Sequence, residues 1–313
     1  MERGERSVEG LGLSRLGVGT VQFGVDYGFT KALAQGQVDE ILDGCGELGV
    51  RFIDTARSYG DSEKKIGSFL RRHPGGDFTL CSKLRKITVE ESDSGGRLRH
   101  AIEDSVCASL EALGIDRLPI VMLHQTDGYL LASERFWEAM ETVRDKGLFG
   151  SFGLSVYEVA ELEAACAAGR PAAFFQVPFN VFDRRFAAAA EEARRQGRGV
   201  IARSVFLKGL LTAADDKVAD YFAQLRPALR RFHVAAERAG LTPAELALLF
   251  VLGSGCVDTV VLGVASADEL RRNAAALARS RDAAAAIAAL AQAVPPERGL
   301  VDPRVWPENV FSA

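Results

Sequence analysis

The stretch FIDTARSYGDSEKKIG, from Phe52 to Gly67, places an acid and a phenol close together. A short apolar run ends in Asp54, a turn of small and polar residues presents Tyr59, and Asp61-Ser62-Glu63 then starts a helix in the manner of an N-cap. A carboxylate and a phenol at the end of a buried strand are costly to keep unless they find partners. Taken alone, the pair could be a strand-end aspartate capping the next helix beside a tyrosine packed on the rim. Two further stretches add to it: TLCSKL brings Lys83 to a strand's end, and LPIVMLHQ does the same for His124. An ammonium beside a phenol favours the phenolate and so makes the phenol a better acid, and a carboxylate can hold that ammonium by an ion pair. An imidazole adds a hydrogen-bond donor for an oxygen that gains charge. The competing readings are a core histidine satisfied by a backbone group and a lysine snorkelling at a strand end.

Positioning such groups needs strands that end at one face. The sequence repeats strand, loop and helix at intervals of about thirty residues, as βα units do. Strands are expected at Leu16 to Gly19, Arg51 to Asp54, Phe78 to Lys83, Pro119 to His124, Gly150 to Ser155, AAFFQVPFN ending near Gln176, GVIARS, and TVVLG ending at Gly263. Helical spacing marks Ala34 to Leu48, Ser62 to Arg72, Leu98 to Leu113, Ser133 to Lys146, Val156 to Ala168, Arg184 to Gln196, Leu225 to Ala239, Pro243 to Leu252 and Asp268 to Ala278. The segment Ser7 to Leu13, with its Gly10-Leu11-Gly12 turn, reads as a short hairpin capping the barrel floor, and an Ala-rich stretch to Val294 as one extra C-terminal helix. Eight strands in this order favour a closed (β/α)8 TIM barrel over an open doubly wound sheet, with residues 1–313 forming one domain. No GxGxxG opens a helix after the first strand, so a Rossmann dinucleotide site has no support. In such a barrel, chemistry sits at the carboxyl ends of the strands, where Asp54, Lys83, His124, Ser155, Gln176 and Ser204 all fall.

Composition narrows the classes. A net charge of −4 argues against a general nucleic-acid surface. No run of about eighteen apolar residues exists to span a membrane. The charged start MERGERSVEG lacks the apolar core of a secretory signal. Five cysteines, odd in number and never in a CxxC pair, read as reduced thiols, so a cytoplasmic protein is expected. Four histidines, far apart, show no metal-ligand cluster, and no metal is expected. The chain could be a monomer; its sequence does not specify an oligomeric state.

The DTAxxYG and SExxIG spacing, together with Lys83 and His124 at later strand ends, resembles the aldo-keto reductase family over nearly the whole chain. The resemblance implies a catalytic tetrad of Asp54, Tyr59, Lys83 and His124. It further implies NAD(P)H-dependent reduction of an aldehyde or ketone, or its reverse, with Tyr59 as the general acid. A carbonyl that accepts hydride becomes an alkoxide and needs a positioned acid, whereas a free phenol titrates near pH 10, about three units above neutral. Lys83 would lower that value, Asp54 would hold Lys83, and His124 would orient the carbonyl oxygen. The alternatives are a sugar or alcohol dehydrogenase running oxidatively, or a cofactor-binding interaction protein like the potassium-channel β-subunits that share the barrel. A metal-dependent barrel hydrolase fails because only one histidine stands at a strand end.

The resemblance maps the nicotinamide carboxamide onto Ser155 and Gln176, with Asp54, Gly19 and Thr20 nearby. The family's Ser-Asn at the fifth strand is Ser155-Val156 here, and its stacking tyrosine after the seventh is Arg203, whose guanidinium can also lie flat on a ring. Ser204 and the main chain of Phe206 to Leu211, including Leu207 and Gly209, would line the cofactor's path. VLGVASADELRRN resembles the adenosine-phosphate site, which implicates Gly263, Ser266, Glu269, Arg272 and Asn273. Gly263, Ala265 and Glu269 stand where the family often carries Lys or Arg, and Glu269 would repel a 2′-phosphate. Arg271 and Arg272 follow, either of which could reach a phosphate or simply form a solvated helix face; the family's preference for NADPH leads, so the resemblance implies NADP(H), with NAD(H) also used. An aromatic substrate wall is expected from Phe23 and Tyr27, Phe179 and Phe182, and Trp306. The QFGVDYG and RSVFLKGLL segments look like a bacterial subgroup of reductases met in biosynthetic settings, a pointer to sugars or secondary metabolites as the small-molecule substrate.

Overall fold

The structure is a computed structural model that describes residues 6–28, 30–124, 128–214, 217–293, 295–307 and 310. Two short strands, β1 (Arg6–Val8) and β2 (Leu11–Leu13), pair antiparallel with Val8 opposite Leu11. Eight parallel strands then close a barrel: β3 (Leu16–Gly19), β4 (Phe52–Asp54), β5 (Thr79–Lys83), β6 (Leu118–Leu123), β7 (Phe149–Ser155), β8 (Phe174–Pro178), β9 (Gly199–Arg203) and β10 (Thr259–Gly263). The order is sequential, and β10 pairs with both β9 and β3 to shut the ring.

Two apolar cores hold this arrangement. Inside the ring, Phe52, Cys81, Ile120, Met122, Phe174, Ile201 and Val261 pack together, and Val8 and Leu13 of the hairpin plug the floor beneath them. The two inward phenylalanines take the space of missing side chains on neighbouring strands. A Cβ on Gly17 would come within 2.8 Å of the Phe52 ring, and one on Gly199 within 2.5 Å of the Phe174 ring. Outside, the helices bury their apolar stripes against the strands, as Val38, Ile41, Leu42 and Cys45 do from the helix Gln35–Leu48. That helix ends at Gly49, whose φ of 67° is the left-handed stop expected of a glycine after the last turn.

The (β/α)8 barrel, the hairpin and the last helix, Ser280–Gln292, match the expected architecture, with Val294 outside the described residues. Differences are local. β8 runs two residues past Gln176, and β6 stops one before His124, with Gln125 outside the described residues. The insertion after β9 holds the tight 3-10 segments Leu207–Thr212 and Asp220–Leu225 among its described residues, and the tail adds a turn at Arg298–Val301. Such single turns carry too few residues for a periodic pattern to mark them. The helix Ser62–Arg72 starts where expected, but Asp61 makes no side-chain capping bond; it pairs with Lys65 at 3.1 Å instead.

Candidate active site

Asp54 closes β4, Lys83 closes β5, His124 follows β6, Ser155 closes β7, Gln176 lies within β8 and Arg203 closes β9. Their polar ends converge. Lys83 Nζ donates to Asp54 Oδ2 at 2.7 Å and to the Thr55 carbonyl at 2.9 Å, and both partners of the ion pair are buried. Gln176 Nε2 donates to the other carboxylate oxygen of Asp54 at 2.8 Å, and Ser155 Oγ donates to Gln176 Oε1 at 3.4 Å. The Lys83 ammonium lies 5.1 Å from the centre of the Tyr59 ring. The His124 ring meets Tyr59 edge-on, with 5.6 Å between centroids, and its Nδ1 is 3.2 Å from Ser58 Oγ.

The turn that carries Tyr59 is fixed from three sides. A hydroxyl chain runs beneath Asp54: Thr20 Oγ1 donates to the Asp54 carbonyl at 3.0 Å, Ser62 Oγ donates to Thr20 Oγ1 at 2.8 Å, and Thr55 Oγ1 lies 3.1 Å from Ser62 Oγ. Gly24 lets the loop after β3 lie directly on this turn, because any Cβ there would strike the Tyr59 carbonyl at 1.8 Å. Behind it, buried Glu63 accepts from Ser82 Oγ at 2.6 Å and pairs with Arg57. Helical and strand periodicity mark Glu63 as polar and therefore outward, so only the contact itself reveals this support.

Each charge has a stated cause. Burial works against the charged form of Lys83, yet Asp54, with Tyr59 and Cys81, outweighs it and holds the ammonium above its ordinary pKa. Burial raises the Tyr59 pKa above its usual value; Lys83 and Arg203 pull it down and Asp54 pushes it up, and burial prevails. The phenol is therefore neutral near pH 7 and holds a proton to give. The expected lowering by Lys83 is present but does not set the net direction. Burial first, then the cations Lys83 and Arg203, lower His124 to about 3, so its imidazole is uncharged.

That neutral imidazole carries a pH signature. The unfolded chain protonates at about 6.5 while the folded site resists protonation down to about 3. The contribution of His124 to stability is thus present above the upper value and lost as pH falls through that window. The difference in unfolding free energy between wild type and His124→Gln should shrink as chemical denaturation is repeated at decreasing pH; a constant difference would contradict a buried neutral ring.

A cavity of about 450 Å³ opens over these groups. Asp54, Tyr59, His124, Ser155, Gln176 and Arg203 line it, with Gly19, Thr20, Ser204, Phe206, Gly209, Gly263 and Glu269. Leu207 and Leu211 are wholly buried beneath the loop, while Ser266, Arg272 and Asn273 lie on the helix Ala267–Ala276 and its cap, outside the lining. Of the expected aromatic wall, Tyr27 lines the cavity. Phe23 and Phe179 sit in the core, Phe182 packs against Phe232, and Trp306 packs edge-on to Phe222 at 4.8 Å. Gln22, Tyr157, Lys208 and Arg304 also line the cavity. Arg304 reaches it from the tail, and its guanidinium and that of Arg203 both lie over the Tyr157 ring, at 4.4 and 4.1 Å from its centre. No local pattern places a tail arginine on a loop some 150 residues earlier in the chain; Gln22, three residues beyond Gly19, and Tyr157, two beyond Ser155, stood near enough to a strand end to be noticed.

A closed parallel barrel with an Asp–Lys pair, a phenol and an imidazole at its carboxyl face defines an aldo-keto reductase-type site. The chain belongs to the Aldo/keto reductase family, whose sequence model matches residues 15–292, and it is an oxidoreductase of carbonyl and alcohol substrates. It is 27% identical over 310 residues to a D-threo-aldose 1-dehydrogenase of Pseudomonas sp, covering 85% of this chain and 89% of that one. It is 24% identical over 315 residues to a pyridoxal 4-dehydrogenase of Microbacterium luteolum, covering 84% and 89%. A solved aldo-keto reductase from Bacillus halodurans in its holo form shares the fold, with a TM-score of 0.74 at 22% identity over 94% of this chain and 98% of that one. No helix among the described residues is long and apolar enough to cross a membrane.

Proposed function

We propose that the protein, acting as one domain over residues 1–313, reduces an aldehyde or ketone with a nicotinamide cofactor, or oxidises the corresponding alcohol, with Tyr59 as the proton donor. The observation that carries this reading is the neutral Tyr59 phenol beside an ammonium locked by Asp54 at 2.7 Å, on the wall of a cavity shared with His124. Tyr27 and Tyr157 line the same cavity, but neither adjoins the Asp54–Lys83 pair, and burial pushes Tyr27 up to about 12.

The residues along the cavity suit a nicotinamide dinucleotide. Ser155 and Gln176 offer donors and acceptors of the kind a carboxamide needs. A Cβ on Gly263 would collide with the Gln22 amide at 2.3 Å, so the backbone is bare at that point. Gln22, on the cavity wall, has its Oε1 buried without a partner among the described residues, which leaves a polar atom for a ligand. When bound, the cofactor supplies the hydride, which no side chain can donate. His124 hydrogen-bonds the carbonyl oxygen: the tautomer with its proton on Nε2 serves that purpose, and it leaves Nδ1 as an acceptor for the Ser58 hydroxyl 3.2 Å away. Tyr59 then passes its proton to the oxygen as charge develops there. Lys83 stabilises the phenolate left behind, and Asp54 keeps Lys83 from swinging away. In the oxidative direction, the same phenolate accepts the alcohol proton. The purified protein should oxidise NADPH when given simple aldehydes; inertness toward a broad aldehyde panel and toward alcohols with the oxidised cofactor would remove this reading.

For cofactor choice we infer NADP(H) with measurable NADH activity. Arg271 is engaged by Asp268 at 3.0 Å and Glu47 at 3.5 Å. Exposed Arg272 has no acidic partner among the described residues, which favours it as the 2′-phosphate ligand. Glu269 accepts from the Ala265 amide at 2.8 Å, so its carboxylate is committed to the start of its helix. The ratio of kcat/KM for NADPH over NADH should exceed one and fall toward one in Arg272→Ala. A wild-type ratio below one would make NADH the cofactor and Glu269 the reason.

A further inference from the structure

The loop after β9 is held in an unfavourable shape. Leu207 and Lys208 have φ values of 50° and 55°, and Gly209 follows at 92°. Two successive non-glycine residues in the left-handed region are costly and persist only where the surroundings enforce them. The enforcement comes from the loop after β3: at Gly28 a Cβ would lie 2.6 Å from the Lys208 carbonyl, so the two loops are in direct backbone contact. This packing sets the Lys208 ammonium 5.4 Å from the Tyr27 ring centre and 5.8 Å from that of Trp306.

Lys208 is half-buried and lines the cavity, and burial lowers its pKa. It has no carboxylate partner among the described residues; the two aromatic faces offset only part of its desolvation. The other charges around the cavity are largely cancelled. Asp54 neutralises Lys83, while Asp302 at 2.5 Å and Glu158 at 2.8 Å neutralise Arg304. Among the described residues Arg203 bonds to neutral acceptors, the Val156 carbonyl at 3.2 Å and Ser204 Oγ at 3.3 Å. Glu269 is spent on the Ala265 amide. Among the described residues, Lys208 and Arg203 are therefore left on the cavity wall without a carboxylate partner.

We propose that the substrate of this cavity carries an anionic group, a carboxylate or phosphate remote from its carbonyl, and that Lys208, held beside the Tyr27 and Trp306 rings, anchors it while Arg203 adds to the field. The inference rests on the reductase reading given above. A cofactor pyrophosphate has the same chemistry, so the test must separate the two sources. Wild type, Lys208→Met and Lys208→Arg would be compared on para-carboxybenzaldehyde and succinic semialdehyde against para-methylbenzaldehyde and butanal. Binding of NADPH and of the product para-(hydroxymethyl)benzoate would be followed by calorimetry. Wild type should favour the anionic aldehydes. A charged hydrogen bond of this kind implies that Lys208→Met cuts the anionic-to-neutral ratio of kcat/KM by roughly ten- to a hundredfold, and weakens the carboxylate product to match. Lys208→Arg should restore most of both. Three results would overturn the proposal: a wild-type enzyme with no preference for the anionic aldehydes, a Lys208→Met variant whose ratio is unchanged, or a loss confined to NADPH binding, which would assign Lys208 to the cofactor. If turnover fails with every aldehyde while the carboxylate product still binds through Lys208, the reductase reading falls and the anion site stands.

Discussion

Replacing Tyr59 by phenylalanine is expected to lower kcat for aldehyde reduction by about a hundredfold to ten-thousandfold, the range that a positioned general acid contributes. The change removes one oxygen and leaves the ring, so the edge-on contact with His124 and the position above Lys83 survive. The fold should survive as well, since the turn is held by the Thr20–Ser62–Thr55 hydroxyls and by the Gly24 contact with the residue 59 backbone, none of which involves the phenol. Cofactor affinity should stay near the wild-type value, because the carboxamide partners proposed here are Ser155 and Gln176. Steady-state kinetics with cofactor titration read both quantities. A variant that keeps more than about a third of wild-type kcat would return Tyr59 to a packing role, since loss of a general acid costs at least a hundredfold. A collapse seen in Tyr27→Phe instead would move the donor to Tyr27.

Lys83→Met should produce the second-largest loss, through two separate routes. The first is electrostatic. Lys83 is the leading influence that lowers the Tyr59 pKa against the burial that raises it, so without the ammonium the phenol becomes harder to ionise. The limb of the pH–rate profile that reports the phenol should move to higher pH, and the rate at neutral pH should fall by about a hundredfold, the lower end of what a working general acid provides. The second is structural. Asp54 would be left buried with Gln176 but without its cationic partner, and breaking a buried ion pair from one side costs about 3–5 kcal/mol. Asp54→Asn should lose less activity, because Lys83 keeps its bond to the Thr55 carbonyl. Thermal unfolding and pH–rate profiles of the two variants separate the routes. A Lys83→Met enzyme with an unshifted profile but a lowered Tm would make Lys83 a structural lysine.

The ring of strands, and the polar residues that meet at its carboxyl face, were legible because each signal is short-range. An apolar run ending in Asp54 or Lys83 tells where a strand stops, and strand ends in this architecture share one face. The same reasoning could not tell a rim aromatic from a core one. Phe23 and Phe179 stand as close in sequence to strand ends as Tyr27 does to β3, and whether a ring faces the cavity or the helix layer depends on packing across the barrel. The Lys208 side chain, on a loop expected to offer only its main chain, and Arg304 were missed for a related reason. Their places depend on the Lys208 carbonyl meeting Gly28 and on a tail returning to Tyr157, contacts between segments far apart in the chain. The direction of the Tyr59 shift was likewise out of reach, since it is decided by depth of burial and not by neighbour identity.

The central claim is that this site passes hydride from a nicotinamide to a carbonyl carbon while Tyr59 protonates the oxygen. Its most direct test uses NADPH deuterated on the transferring face of nicotinamide C4, an aldehyde the enzyme accepts, and mass spectrometry of the product alcohol. One deuterium on the carbinol carbon for each cofactor oxidised, with the yield collapsing in Tyr59→Phe, is the predicted result. Cofactor oxidation without label in the alcohol, or labelled alcohol formed equally well by the Tyr59→Phe variant, would contradict it.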